Sequence, residues 1–269
     1  MEKTSKLTVE ELRQALEGLG LDSRGRKPEL KLRLKKAQKK QSEPKEAIPA
    51  TPPPPQQQQQ AFDYFLFFDV EATCIKDGGF NYANEIIEFP VVLISGTTFE
   101  VVDEFRSYVK PGINPVLSEY CIELTGITQD IVDKSPDFVE VLNAFQVFME
   151  KYDLFRSKTA TFVTDGPYDI RDFITKQCKH SNLASRPSYF DIPWVNIRKT
   201  FRQFYNLKTH HNISAMLYFL DMEFTGREHS GLDDARNLAA IGKRMHEDGC
   251  VFKTNCKWNY KSGDGRRKR

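Results

Sequence analysis

The sequence predicts an α/β domain built on a mixed β-sheet, preceded by a small all-α module. Short apolar runs typical of strands alternate with helical patterns over most of the chain, as they do when helices flank a sheet. A Pro- and Gln-rich tract separates this region from a basic N-terminal segment. With 269 residues, 39% of them hydrophobic, the chain can bury a core and is not disordered as a whole.

The predicted sheet has five strands, at residues 64–68, 86–94, 99–109, 160–164 and 189–195. Residues 95–98, which read SGTT, form a hairpin turn between the second and third strands. Helices are predicted at 136–152, from about residue 169 onward, and at about 230–247. The order β-β-β-α-β-α-β-α is that of an α/β domain, which we place at residues 62–250.

The N-terminal module is predicted at residues 5–40 as two short helices. Thr8 and Glu11 have the spacing of a capping box, and leucines follow at helical intervals. Pro28 stands where the first turn of a second helix tolerates proline. A linker follows at 41–61, with four consecutive prolines and five glutamines, and we expect it to act as a spacer.

Charge is divided sharply along the chain, although the formal total is only +2. Residues 1–46 carry +5 and the tail at 257–269 carries another +5, while residues 47–256 carry −8. Basic ends indicate a polyanion such as nucleic acid. The tail suits nuclear import or an RNA-binding arm, or serves only for solubility. An acidic body fits nucleic acid only if some carboxylates hold metal ions.

Several protein classes are excluded at this stage. No apolar run approaches the roughly 20 residues of a membrane span, and no secretory signal is expected at the N-terminus. The five cysteines form no C-x-x-C pair, so a disulfide framework and a structural zinc site are not expected. A reducing compartment is therefore expected.

Carboxylates follow two of the predicted strands. Asp69 and Glu71 end the first strand at positions i and i+2, so they project to the same side. Burying two such charges calls for a divalent cation, unless the strand end is solvated. Asp169 follows a second strand, at the sheet edge where ligands commonly bind, although it could simply cap the next helix.

His229 and Asp234 open the last helix and can face the same cleft. The alternative is an ordinary helix start with acidic residues near its positive end. Together the residues follow the order D-x-E, D, H-x4-D. Phosphodiester hydrolysis can use two divalent ions about 4 Å apart, one lowering the pKa of the attacking water and one stabilising the leaving oxygen. Carboxylates suit Mg²⁺ or Mn²⁺, and a histidine can accept the proton of the water.

These motifs, FDVEAT, TDGPYD and HSGLDDA, resemble the DEDDh group of 3′–5′ exonucleases, the DnaQ-like branch of the ribonuclease-H-like fold. The resemblance covers about residues 64–249 and implies a mixed five-stranded sheet. It implies that two Mg²⁺ ions, which Mn²⁺ can replace, are held by four carboxylates, Asp69, Glu71, Asp169 and Asp234. It also implies that Glu71 and His229 act in catalysis, with His229 as the general base. Asp165 stands where many members carry Asn.

Three further segments, IIEFPVVLI, LTGITQDIVD and HSGLDDARNLA, are similar to the subgroup of 3′ histone mRNA or enhanced-RNAi exonucleases. Residues 7–40 resemble the SAP motif that this subgroup carries. The resemblance implies a monomeric exoribonuclease that releases nucleoside 5′-monophosphates. Its substrates would be structured RNA with a 3′ tail: the histone mRNA stem-loop, small interfering RNA overhangs or the 3′ end of 5.8S ribosomal RNA. It also implies a stem-loop-binding protein and ribosomal particles as partners, no membrane, and nuclear, nucleolar and cytoplasmic location.

The resemblance also assigns contacts to RNA. Glu71, Ala72 and His229 would touch the terminal nucleotide, and Leu124 and Tyr168 would sandwich its base, unless these last two only pack in the core. In the SAP-like module, phosphate contacts are expected from basic residues: Arg24, Lys27, Arg33, Lys36 and Lys39. Ordinary solvation of a charged face is the alternative for that set.

Two other functions remain open from the sequence. A DNA 3′–5′ exonuclease would use the same carboxylates, because they act on a phosphodiester and not on a sugar. A non-catalytic RNA-binding protein with a relict nuclease domain is the second alternative. The intact set of five residues, running from Asp69 to Asp234, argues against it.

Overall fold

A computed structural model of the chain describes residues 7–18, 23, 27, 30, 31, 34 and 59–258. The chain divides into two compact units, Met1–Pro54 and Pro55–Arg269. Most of the predicted linker and residues 259–269 of the predicted tail lie outside the described residues.

The N-terminal unit contains the helix α1, Val9–Glu17, which begins with the predicted capping box. The Thr8 N–H donates to Glu11 Oε2 at 2.7 Å, and the Glu11 N–H donates to Thr8 Oγ1 at 3.3 Å. Its inner face packs into a small cluster of buried leucines: Leu12, Leu16, Leu30 and Leu34. Lys27 is helical and exposed. The other predicted phosphate-binding residues lie outside the described part: Arg24, Arg33, Lys36 and Lys39.

The second unit is built on a mixed sheet of six strands: β1 Tyr64–Phe68, β2 Glu71–Ala72, β3 Ile86–Ser95, β4 Val101–Tyr108, β5 Ala160–Thr164 and β6 Val195–Asn196. The central strand β1 is antiparallel to β3 and parallel to β5. The strand β6 is parallel to β5, and both β2 and β4 pair with β3. The predicted mixed α/β architecture is thereby confirmed.

The sheet differs from the prediction at two places. The short strand β2 is a sixth strand, which pairs with β3 through Glu71 and Glu88 directly after the turn that follows β1. The predicted strand at 189–195 forms only at its end, because Ser188–Phe190 is a 3₁₀ turn and β6 begins at Val195. Pro193 has no N–H to give to a strand ladder, which explains why pairing begins only after it.

Among the described residues, the α-helices of this unit are α2 Glu119–Thr125, α3 Gln129–Asp133, α4 Phe138–Lys151, α5 Ile174–His180, α6 Ile197–Phe204, α7 Ile213–Phe219 and α8 Gly231–Glu247. Asp169–Phe173 is a π-helical turn, and Gly79–Asn81 is a short 3₁₀ segment. The three predicted helical regions are present. The helices α2, α3, α6 and α7 were not predicted, because each is 5 to 8 residues long, too short for a clear helical period.

Both faces of the sheet are buried. Phe65 and Phe67 point into a core completed by α6, α7 and α8, while Leu66 and Phe68 point into the core under α4. A strand buried on both faces is apolar at every position, as the run YFLFF is. The strand β1 is thus fixed rigidly in the middle of the unit, and so is the point where it ends.

Chain segments that bear carboxylates meet at one edge of the sheet. Because β1 and β5 are parallel, their carboxyl ends lie side by side, and Asp69 and Asp165 directly follow them. The helix α8 approaches the same edge so closely that a Cβ on Gly231 would lie 2.6 Å from the Asp69 carbonyl oxygen. The glycine therefore permits the packing that brings Asp234 to Asp69.

Gln60, within the predicted linker, is part of the second unit and is buried in it. Its Nε2 donates to the Cys250 carbonyl oxygen and contacts His246 Nδ1, both at 2.9 Å, and its Oε1 accepts from the Phe252 N–H at 2.9 Å. Both the amide NH2 and the carbonyl oxygen of this side chain find their partners between His246 and Phe252. Among the described residues, no helix combines the length and apolar character needed to cross a bilayer.

Candidate active site

Three of the predicted metal ligands lie together. Asp69, Glu71 and Asp234 each offer a carboxylate oxygen, and these oxygens lie within 4.8 Å of one another. Asp69 follows β1, Glu71 begins β2, and Asp234 lies in the first turn of α8. Glu71 and Asp234 are 163 residues apart in the sequence, and the packing of α8 against the end of the central strand brings them together.

Asp169 lies beside this group as the first residue of the π-helical turn. Its Oδ1 accepts a hydrogen bond of 3.3 Å from the Val70 N–H, so the side chain faces the link between Asp69 and Glu71. Tyr168 and not Asp169 stands at the N-cap position of this turn, so Asp169 is not the capping residue. π-Helical turns are rare and are often found at functional sites.

The electrostatics of the cluster are unfavourable for the protein alone. Burial and the charges of Asp169 and Asp234 raise the pKa of the Asp69 carboxyl well above its usual value. Burial, with the charges of Asp234 and Glu88, raises the pKa of Glu71 in the same direction. Burial also raises the pKa of Asp169 and of Asp234, each to about 7. Four carboxyl groups here hold their protons more tightly than exposed ones would.

A divalent cation fits this donor set. The ligands are all carboxylate oxygens, which hard ions such as Mg²⁺ and Mn²⁺ prefer. Among the described residues none of the four is ion-paired with lysine or arginine, so their negative charge is left for another cation. The neighbouring Asp165 differs, because Arg198 Nε donates to its Oδ1 at 2.8 Å in a two-point ion pair.

His229 lies at the mouth of a cleft of about 190 Å³ that Asp69 and Asp234 also line. Its side chain is exposed, and its φ of 62° is in the left-handed region that non-glycine residues rarely adopt. The His229 backbone lies near the Asp234 carboxylate and acts to lower its pKa, against the larger effect of burial. The imidazole therefore stands beside the carboxylates and remains open to solvent and substrate.

The predicted nucleotide contacts surround the same region. Ala72 lies in β2 directly after Glu71, and its carbonyl oxygen is 3.8 Å from Sγ of Cys121 on α2. Leu124, also on α2, is half-buried, while Tyr168 is 45% exposed. An exposed aromatic ring directly before Asp169 is better suited to stacking on a base than to core packing.

Glu88 on β3 is a member of the site that was not predicted from the sequence. It is fully buried, and it accepts from the N–H groups of Gly231 at 3.0 Å and Leu232 at 3.3 Å. Its Oε1 also accepts from Arg106 Nε at 2.8 Å. A carboxylate at the N-terminus of α8 satisfies free N–H groups and complements the helix dipole. Glu88 therefore fixes the start of the helix that carries Asp234.

Asn237 is a second residue found only in the structure. Its Oδ1 accepts from the Thr225 N–H at 3.0 Å, and its Nδ2 donates to the Thr225 carbonyl oxygen at 2.8 Å. From the second turn of α8 it thus holds the start of the loop that leads to His229. A primary amide suits this role because it carries a donor and an acceptor on separate atoms, but the sequence positions of Asn237 and Thr225 do not reveal the contact.

Stability of the metal-free protein should fall as pH rises. The pKa values of Asp169 and Asp234 are raised from about 4 to about 7, so their contribution to stability is full below pH 4 and is lost on approaching pH 7. In chelator we expect Tm to drop by roughly 5 °C between pH 5 and pH 8, and Mg²⁺ to restore it. Thermal melts in chelator and in Mg²⁺ test this. A Tm in chelator that rises over this interval would contradict it.

Replacing Glu88 by Gln should destabilise the protein by about 1–3 kcal/mol, because a buried N–H of α8 loses its acceptor. The matched control is Glu104→Gln. Glu104 pairs with Arg236 at 2.6 Å on a half-exposed surface, so this change should cost less than about 1 kcal/mol. Urea unfolding of both variants provides the comparison. Equal losses would show that Glu88 does not hold α8.

Two family models match the chain. The model described as Exonuclease matches residues 66–241, which include all five residues of the predicted catalytic set. The SAP domain model matches residues 4–39.

Curated relatives span nearly the whole chain. The 3'-5' exoribonuclease 1 of Mus musculus is 40% identical over 252 residues, which cover 93% of this chain and 70% of the relative. The 3'-5' exonuclease eri1 of Schizosaccharomyces pombe is 36% identical over 279 residues, which cover 96% of this chain and 93% of the relative.

Solved structures show the same similarity. A 3′-exonuclease structure described as "3'-end specific recognition of histone mRNA stem-loop" is 39% identical, with a TM-score of 0.73, over 96% of this chain and 86% of that one. The nuclease domain of 3'hExo, a DEDDh family member bound to rAMP, is 41% identical, with a TM-score of 0.71, over 73% of this chain and 98% of that one. This chain therefore belongs to the exonuclease family as a DEDDh-type 3′–5′ exoribonuclease with an N-terminal SAP domain.

Proposed function

We propose that the protein is a Mg²⁺-dependent exoribonuclease that shortens structured RNA from a single-stranded 3′ tail and releases nucleoside 5′-monophosphates. The observation that carries the proposal is the cluster of carboxylates, in which oxygens of Asp69, Glu71 and Asp234 lie within 4.8 Å of one another. No lysine or arginine among the described residues is ion-paired with them, so the protein alone does not balance their negative charge. Divalent cations would balance this negative charge at the place where water attacks the phosphodiester.

Asp69, Glu71, Asp169 and Asp234 would hold two divalent ions. When bound, these ions supply positive charge that lowers the pKa of water and stabilises oxygen on the leaving side. The His229 imidazole would accept the proton of the attacking water, which its exposed position beside Asp234 allows. Glu88 and Asn237 would keep the helix and loop in place, so that the imidazole and the carboxylates stay in register.

The terminal nucleotide would lie between α2 and the start of the π-helical turn. Leu124 and Tyr168 would contact the two faces of the base, and the backbone at Ala72 would contact the sugar side. Stacking on an aromatic face tolerates any base, as an enzyme that removes successive nucleotides requires. The similar 3'hExo nuclease domain was solved with rAMP bound, which supports a nucleotide at the corresponding place.

The substrate class follows from similarity to an exonuclease whose structure concerns the 3′ end of the histone mRNA stem-loop. We extend the proposal to overhangs of small interfering RNA and to the 3′ end of 5.8S ribosomal RNA. The protein would act as a monomer in the nucleus, the nucleolus and the cytoplasm. A histone stem-loop-binding protein and ribosomal particles are the proposed partners.

Product analysis tests the function. A 5′-labelled stem-loop RNA with a 3′ tail is incubated with the full chain in Mg²⁺, in Mn²⁺ and in chelator, beside a DNA of matched sequence. We expect shortening from the 3′ end, nucleoside 5′-monophosphates as products, no reaction in chelator, and slower reaction on DNA. Internal cuts or 3′-phosphate products would contradict the proposal. Faster hydrolysis of DNA would indicate a DNA exonuclease, and binding without cleavage in either metal a relict nuclease.

Removal of residues 1–46 should weaken binding to the stem-loop more than it slows hydrolysis of short single strands. This segment carries +5, whereas the body from 47 to 256 carries −8. Phosphate contacts supply most of the salt-sensitive affinity, so we expect roughly a 10- to 100-fold rise in Kd near 0.1 M salt. A titration over several salt concentrations measures it. Equal affinity of the full and shortened chains would contradict a role of this module in RNA binding.

A further inference from the structure

Arg227 connects the end of α2 to the loop that carries His229. Its Nη2 donates a hydrogen bond of 2.6 Å to the carbonyl oxygen of Glu123, in the last turn of α2. Carbonyl groups in the last turn of a helix have no partner within the helix, and the helix dipole favours a cation beside them. The guanidinium thus caps α2 from a segment about 100 residues further along the chain.

The guanidinium also lies against Gly126, the residue at which α2 ends. A methyl group on Gly126 would be 2.3 Å from Nη1 and 2.8 Å from Cζ of Arg227, so a larger residue would displace the guanidinium. Gly126 has a φ of 73°, a left-handed conformation that residues with a Cβ rarely adopt. This glycine is therefore needed both for the turn and for the contact.

The backbone of Arg227 is held from the side of α8. Its N–H donates to Asp233 Oδ2 at 3.0 Å, and its carbonyl oxygen accepts from the Ser230 N–H at 3.2 Å. His229 lies between Arg227 and Ser230 in this short turn. A shift of the Arg227 backbone therefore moves His229 as well, because the turn is closed by a hydrogen bond across it.

The two ends of this contact have different proposed roles. Leu124, next to Glu123, would contact the terminal base, and His229 would accept the proton of water. We propose that Arg227 is a positioning residue that couples the occupied nucleotide site on α2 to the placement of the His229 imidazole. This inference rests on the proposed function and adds to it a reason why a correctly seated 3′ end is hydrolysed.

Direct binding of an RNA phosphate is the competing role for an exposed arginine. The two roles differ in what they change. A phosphate contact contributes to affinity and to its salt dependence, by about one counterion per contact. A positioning contact changes the rate of the bound complex, where a displacement of about 1 Å can cost up to about 100-fold.

The test compares Arg227→Ala, Arg227→Lys, Gly126→Ala and the double variant Gly126→Ala/Arg227→Ala. The control is Arg156→Ala, which removes an exposed arginine that is ion-paired with Glu150 at 2.8 Å. Single-turnover rates at saturating RNA, Kd over a salt series and thermal melts are measured for each. Asp69→Asn is included to show that hydrolysis by the wild type comes from the proposed site.

We expect Arg227→Ala to lower the single-turnover rate by about 10- to 100-fold, with Kd, its salt slope and Tm close to wild type. Lysine should restore part of the rate, because an ammonium can still cap Glu123. Gly126→Ala should also lower the rate, and it should add little in the double variant, because the displaced guanidinium is already absent. An unchanged rate in Arg227→Ala would overturn the positioning role, and a salt slope reduced by about one beside it would indicate a phosphate contact. Hydrolysis by the wild type would still support the proposed function in either case.

Discussion

Replacing Asp69 by Asn is expected to lower RNA hydrolysis by at least about 1,000-fold, an effect of roughly 4 kcal/mol on the barrier. Asparagine keeps the shape of the side chain but removes the charge that a divalent cation needs. Asp69 is the member of the cluster on which the other carboxylates act most directly, since burial and three of them raise its pKa. The loss should therefore persist at high Mg²⁺ concentration.

The same variant should melt at a higher temperature than wild type in chelator, because one of several crowded negative charges is gone. This second readout separates a lost metal site from a damaged fold. Asp130→Asn is the matched control: Asp130 is exposed and pairs with Lys134 at 2.7 Å, so neither activity nor stability should change much. Wild-type activity in purified Asp69→Asn would remove this residue from the mechanism.

Replacing His229 by Ala is expected to slow hydrolysis by about 100- to 10,000-fold, as loss of a general base does. RNA affinity should stay within a few fold, because the carboxylates and the proposed base contacts remain. His211→Ala is the control, since His211 is half-buried and does not line the cleft, and its Nδ1 contacts the Thr209 carbonyl oxygen at 3.2 Å. Single-turnover rates and Kd measure both effects. Equal losses from the two substitutions would contradict the role of His229.

Much of the site could be predicted because its residues carry signals in the sequence. Asp69 and Glu71 come just after the apolar run YFLFF, and His229 and Asp234 open the longest helical pattern. The mixed sheet follows from apolar runs long enough to be read as buried strands. Local propensity does not show that these segments form one site. Their order along the chain indicates it, because that order resembles the one in a known family.

The supporting residues could not be predicted in the same way, since they act through tertiary contacts. Arg227 caps α2 across about 100 residues, and Asn237 binds the backbone of Thr225 in both directions. Glu88 did carry a signal: it is an acidic residue inside the apolar run IIEFPVVLI, where an unpaired carboxylate would be costly. Such a charge in a buried strand indicates a partner, although the sequence does not say that the partner is the start of α8.

The burial of Gln60 has a consequence for the glutamine tract at 56–60. The Gln60 side chain fills a fixed place beside Cys250 and Phe252. Gln60 is the last of five consecutive glutamines and directly precedes Ala61. Gain or loss of one glutamine therefore leaves a glutamine in the same place, and only the chain upstream changes in length. The glutamine tract can thus vary in length without loosening this contact, so long as its final residue is a glutamine.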